Sequence, residues 1–222
     1  MTASALILAG GSHGHDFPAT ARSLSAVLTE HGYAVDTIDD PDDVWSAMLE
    51  RPEPYDLLAV NGLRFRMTHE RYDTMRAQWA YRTPRAADAA MDRHLASGGA
   101  IFSVHTGCIC FDDWDRWSNL LGRRWSWDEQ RMSWHPERGQ LHIEPVTGHG
   151  APFDIVDEVY TDMVDLGGVD VWARCDNQPV MWRHEVGGNR IAVTTLGHGT
   201  DSYENRAYRQ LLDELVSWLA AG

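Results

Sequence analysis

An α/β fold of the flavodoxin-like kind, with a mainly parallel sheet and helices on both faces, is what this sequence predicts. Two observations carry the expectation. Short, continuous apolar runs end in glycine, as strands buried on both faces do, and they alternate with amphipathic stretches long enough for helices. A third observation concerns chemistry: histidines follow several of the apolar runs, at the sheet edge where open α/β folds bind ligands.

The first strand is SALILAG (4–10). Pro18 then opens a helix carrying Leu24, Val27 and Leu28, which stops at His31-Gly32. YAVDTI (33–38) is the second strand, and Asp40 caps a helix with Pro41 in its first turn. YDLLAVNG (55–62) is the third strand; a helix from Thr83-Pro84 to Leu95 leads through Gly98-Gly99 into AIFSV (100–104). Short loops and this rhythm imply right-handed parallel crossovers. The second half holds the strands 140–146, 169–175, 179–185 and 190–197, the last two joined as a hairpin around Gly187-Gly188. A closing helix near 204–220 puts Tyr208, Leu211, Leu212, Leu215 and Leu219 on one face. With no internal repeat or linker, residues 1–222 read as one domain.

Composition narrows the function. A net charge of −14 disfavours nucleic-acid or anionic-membrane partners, and 43% hydrophobic residues suffice for a sizeable core. Cys108, Cys110 and Cys175 show no disulfide spacing, the N-terminal apolar run lacks a basic flank, and no stretch reaches the roughly 18 apolar residues of a span. A cytoplasmic protein is expected, with a homo-oligomer allowed.

Two regions fit the alternation less well. Segment 64–82 gathers Arg64, Arg66, Arg71, Arg76 and Arg82 around Tyr72, Met75 and Trp79, which reads first as a surface helix and second as an anion-binding lid. Residues 112–135 hold Trp114, Trp117, Trp125, Trp127 and Trp134, either core anchors or flat platforms for sugar rings.

The polar residues at strand ends are the candidate site. GGSHGHD gives His13, His15 and Asp16; the third strand ends at Asn61; the central strand runs into His105; GHGTD gives His198 and Asp201. His105 stands where a nucleophile elbow presents its reactive residue, with a helix expected to follow and to disfavour imidazolium through its N-terminal N–H groups. Cys108 falls inside that helix, where burial is expected. Histidine does not readily replace cysteine in thioester chemistry, so acyl transfer from glutamine is disfavoured. His13, His15 and His105 are candidate ligands for Zn²⁺ or another divalent ion, although GGSHGH matches no diagnostic metal or dinucleotide motif.

The strand-end GGSHGHD, Val104-His105, DRWSNLLGRRW followed by His135-Pro136, DEVY (157–160), PVMW (179–182) and TLGHGTDSY (195–203) occur in the order seen in trehalose-utilisation, ThuA-like proteins, and the resemblance spans nearly the whole chain. It implies a class I glutamine amidotransferase-like fold without the catalytic cysteine. It further implies carbohydrate metabolism beside sugar dehydrogenases that make 3-keto sugars. On that basis the expected function is acid/base chemistry on a keto sugar or 3-keto-glycoside, by isomerisation or by elimination and hydration. The catalytic candidates are His105, His198, Glu158 and Tyr160; His15, Asn61, His135, Trp182 and Asp201 are the substrate-binding candidates. Trp182 reads equally as core, and Asp201 as a group orienting His198. The competing readings are a thiol hydrolase using Cys108 and a sugar-binding protein without turnover.

Overall fold

The computed structural model describes residues 2–11, 14–146 and 148–221. Its first half is the expected alternation: β1 (Ser4–Leu8), α1 (Phe17–Glu30), β2 (Ala34–Ile38), α2 (Pro41–Glu50), β3 (Leu57–Val60), α3 (Asp73–Trp79), α4 (Arg85–Ala96) and β4 (Ala100–Val104). Asp16 and Asp40 accept from Ala19 N and Asp42 N, satisfying free N–H groups at the starts of α1 and α2. The second half holds α5 (Asp115–Leu121), β5 (Arg123–Arg124), β6 (Gly139–Pro145), β7 (Phe153–Asp157), β8 (Val164–Asp165), β9 (Asp170–Cys175), β10 (Gln178–Val186), β11 (Asn189–Thr194), α6 (Thr200–Glu204) and α7 (Arg206–Ala220).

The main sheet has nine strands in the order β2-β1-β3-β4-β11-β10-β9-β6-β7. The block from β2 to β11 is parallel, and every later pairing is antiparallel. The Gly187-Gly188 hairpin explains the switch: with φ of 61° and 88°, these two glycines close a two-residue turn whose twist suits adjacent antiparallel strands.

Helices cover both faces. On one, Leu24, Val27 and Leu28 of α1 and Leu211, Leu212, Leu215 and Leu219 of α7 bury against alternate sheet residues such as Ile7 and Phe102. On the other, Val44, Trp45 and Met48 of α2, Ala87, Ala90 and Met91 of α4 and Trp117 and Leu120 of α5 pack on Leu6, Leu8 and Ile101. The two-residue side-chain period of the strands divides these sets.

The arginine-rich segment forms a short 3₁₀ turn (Glu70–Tyr72) followed by α3, neither with a buried residue. Several of its arginines secure the loop itself: Arg66 pairs with Asp112, and Arg76 donates to the carbonyls of Met67, Thr68 and His69. Among the described residues, no helix is long and apolar enough to cross a membrane.

Candidate active site

Three loops leaving the carboxyl edge of the parallel block carry imidazoles to one place. His15 follows β1, His105 follows β4 directly and His198 follows β11. The ring centroids of His15 lie 5.1 Å from His105 and 4.7 Å from His198, and the latter two are 5.2 Å apart.

His105 has φ of +50°, in the left-handed region that side chains with a Cβ adopt at a cost. Its turn fits closely over β3, because a Cβ on Gly107 would meet Val60 O at 2.3 Å. The expected helix is only a 3₁₀ turn, His105–Cys108, so no extended helix dipole acts on the ring. Burial is instead the main cause that lowers the His105 imidazole to about 4, against the hydrogen bond to Thr195 O and the charge of Glu158, which raise it. Its Nδ1–H donates to Thr195 O at 2.8 Å, which leaves a lone pair on Nε2. That Nε2 faces His15 Nε2 at 3.1 Å. Burial, then His105 and His198, lower His15 to about 3.

Glu158 is the anion of the cluster. Its Oε2 lies 3.6 Å from His105 Nε2 and 3.4 Å from His135 Nδ1, and its Oε1 lies 3.4 Å from His198 Nδ1. Burial alone would raise its carboxyl, but His198, His105 and His135 outweigh burial and hold it below the usual carboxylate range. Glu158 arrives here from an edge strand because Asp157 anchors the turn. The buried Asp157 carboxylate accepts from Gly197 N at 2.8 Å, His198 N at 3.3 Å, Ser202 Oγ at 2.6 Å and Glu158 N at 2.8 Å. Tyr160 Oη lies 3.2 Å from both nitrogens of His105, and burial raises its hydroxyl so that it remains a proton donor.

The cluster borders a cavity of about 420 Å³, within the range of small-molecule sites, lined among others by His15, His135, Thr106, Trp125, Trp127 and Trp134. His135 is its wet member, 40% exposed, and its Nδ1 also meets Pro136 O at 3.1 Å. The tryptophans of 112–135 thus divide. Trp117 is core, with Nε1 donating to Gly107 O, whereas Trp127 stacks on Phe65 in the cavity wall and Trp134 is 54% exposed.

Three expected positions come out differently. Trp182 is fully buried and donates through Nε1 to Leu121 O, so core packing and not a sugar wall occupies it. Asn61 is buried and donates to Thr20 Oγ1 beneath the site. Asp201 is taken by Arg138, and the group that orients the backbone of His198 is Asp157. His13 lies outside the described residues. Asp157 and the cavity residue Phe65 were not singled out from sequence, and Arg71 and Tyr72, which also line the cavity, were read only as members of segment 64–82; for Asp157 the one signal was its place in DEVY, beside Glu158.

The thiols play no visible part. Cys108 Sγ donates to His105 O and Cys110 Sγ to Gly62 O, and both are buried. Burial raises the Cys108 thiol beyond the range where a thiolate forms and pushes Cys110 up to about 12.

Comparison with known proteins fits this arrangement. The ThuA family model, described as trehalose utilisation, matches residues 4–219. The chain belongs to the ThuA family. Membership links it to carbohydrate utilisation. A ThuA-like protein of Parabacteroides merdae shares its fold with a TM-score of 0.73 at 15% identity, over 100% of this chain and 90% of that one. One from Bacteroides uniformis gives 0.68 at 14% identity, over 98% and 91%. A β-galactosidase from Rahnella sp. R3 contains a segment of similar shape, with a TM-score of 0.56 at 14% identity over 98% of this chain and 31% of that one. At such identities the likeness speaks for the fold alone. No curated protein matches the sequence.

Proposed function

We propose that this ThuA-family protein is an enzyme of carbohydrate metabolism that moves protons on a keto sugar or 3-keto-glycoside. The observation that carries the reading is one carboxylate, Glu158, with three imidazoles 3.4–3.6 Å from it, one of which, His135, lines a tryptophan-walled cavity. Indole faces suit the apolar faces of sugar rings.

A ketone at C3 acidifies the hydrogen on C2. A base takes that proton and the electron pair moves into the carbonyl, giving an enolate. Protonation of the enolate oxygen yields an enediol, and loss of the proton on the C2 hydroxyl as a proton is delivered to C3 forms the C2 ketone and completes isomerisation. Alternatively the electron pair re-forms the ketone while expelling the C1 oxygen, which takes a proton, and water adds across the new double bond. Both routes need a base, a donor for the enolate oxygen and an acid.

We assign the base to His135 rather than to His105, which is 1% exposed and weakly basic. His135 Nδ1 faces Pro136 O and Glu158, which favours the tautomer with the proton on Nδ1 and a lone pair on Nε2. Glu158 stabilises the imidazolium once the proton has moved, and Tyr160, still protonated, is a donor beside it. A thiol route finds no support in the sealed Cys108. The sugar is a small-molecule substrate, and three unpaired cysteines fit a reducing cytoplasm.

The test is proton NMR of a 3-keto disaccharide in D₂O with added protein. Exchange at C2, followed by isomer or hydrolysed product, is expected. Saturable binding without exchange would make the protein a sugar binder and remove the enzymatic reading.

A further inference from the structure

We infer that His15, His105, His198 and Glu158 form a binding site for one first-row divalent cation, with Zn²⁺ as the ion it suits best. The inference stands on the geometry of these four side chains and does not depend on the substrate reading above.

Each of the four offers one nitrogen or oxygen, and these atoms all lie within 4.8 Å of one another. Two ligand atoms on a tetrahedral zinc, each ~2.0–2.1 Å from the ion, sit ~3.3–3.4 Å apart. Three of the separations bracket that value: 3.1 Å between the Nε2 atoms of His15 and His105, 3.6 Å from His105 Nε2 to Glu158 Oε2, and 3.4 Å from His198 Nδ1 to Glu158 Oε1. Three imidazoles and one carboxylate are a borderline-soft set that suits zinc, and they come from four separate loops.

A cluster held by hydrogen bonds alone should pair its buried polar atoms. This one does not. Among the described residues, His15 Nδ1, His198 Nδ1 and Glu158 Oε2 are buried without a hydrogen-bond partner. His198 Nδ1 comes within 3.4 Å of Glu158 Oε1 and Glu158 Oε2 within 3.6 Å of His105 Nε2, distances of charge attraction without hydrogen-bond alignment. A cation among them would engage the His198 nitrogen and the carboxylate at once.

The surroundings have the form that holds ligands in place. The Thr195 carbonyl accepts the Nδ1–H of His105, which fixes the tautomer whose Nε2 lone pair points at His15, as outer partners of ligating histidines do. Asp157 accepts from the backbone N–H of both Glu158 and His198, locking two of the four loops together. A bound ion would act as a Lewis acid toward a carbonyl oxygen entering from the cavity that His15 lines.

The experiment uses the full chain without a histidine tag, stripped by a chelator and dialysed, then titrated with Co²⁺ as a spectroscopic probe and with Zn²⁺ as its competitor. One equivalent of Co²⁺ should bind with the visible absorption of a low-coordinate nitrogen-oxygen site, and Zn²⁺ should displace it. His15→Gln and His198→Asn should each weaken binding by at least about tenfold, the lower limit for losing even an outer partner of a ligand. His142→Asn, at an exposed histidine on β6 that pairs with Asp154, should leave binding intact. Metal-free melting temperatures equal to wild type would show that these half-buried variants still fold. Absence of stoichiometric binding to the wild type would overturn the site, and so would binding that both ligand variants retain. Neither outcome is touched by the C2 exchange assay, so the site and the substrate reading can fail separately.

Discussion

His105 and the pair Cys108 and Cys110 leave the same strand within one short turn, all are buried, and their chemical prospects are opposite. The thiols donate hydrogen bonds to the carbonyls of His105 and Gly62, Cys110 Sγ accepts from Arg64 N, and apolar neighbours such as Phe111 and Trp117 surround them. Burial there makes ionisation costly and seals them. The imidazole is buried just as deeply, yet one of its nitrogens is fixed by Thr195 O and the other faces His15 and Glu158. Burial by itself therefore does not mark a residue as structural. What distinguishes the two is whether the buried polar atoms already have all their partners.

The largest expected effect falls on the imidazole side. His135→Asn removes the assigned base and should lower C2 exchange by about 10²–10⁴-fold with the fold intact. A loss below about threefold would end that assignment and pass the role to His198. On the thiol side the contrast is in reactivity. At pH 8 an alkylating reagent should leave Cys108 and Cys110 unmodified in the native protein and label both after denaturation, as mass spectrometry of peptides would show. Native labelling of Cys108 would erase the difference drawn here.

His94 sharpens the comparison as a buried histidine far from the cluster, with Nε2 on the Ala100 carbonyl at 2.8 Å. Burial lowers its pKa, against the backbone hydrogen bonds, so below the unfolded value of about 6.5 the unfolded chain binds a proton that the folded chain refuses. Stability should thus be unaffected by this group above about pH 6.5 and fall as pH drops below it. Urea midpoints measured from pH 7.5 to 5 should decline less steeply for His94→Gln than for wild type; parallel curves would show that this ring carries no linked proton. The smallest effect is expected for Cys108→Ala, whose C2 exchange rate should stay within about twofold of wild type if the thiol takes no part in the proton transfer.

Much of the frame was legible because strands such as ALIL and LLAV, buried on both faces, are continuous apolar runs, while Pro18, Pro41 and the glycine pairs mark where elements begin and end. β7 was not, because it is an edge strand with two of its five residues exposed and reads as polar loop. The histidines at strand ends were legible by the rule that ligands gather at the carboxyl edge, a rule that needs only strand order. Trp182 misled for a physical reason: a strand's alternation does not say which face is the pocket side, and its indole points into the α5 core. Asp157 and the basic role assigned to His135 depend on contacts between loops far apart in the chain, which no local pattern encodes.

Those long-range contacts carry a kinetic meaning. His15 and His105 are 90 residues apart, His105 and Tyr160 are 55, and Asp157 and Gly197 are 40. Closing loops of such length costs chain entropy that grows only slowly with length, yet it must be met before any of these contacts can form. High contact order of this kind slows folding. The Asp157 clamp closes one such separation, 40 residues along the chain. It joins the edge strand β7 to the turn after β11 and draws the last side chain of the cluster into reach of the first.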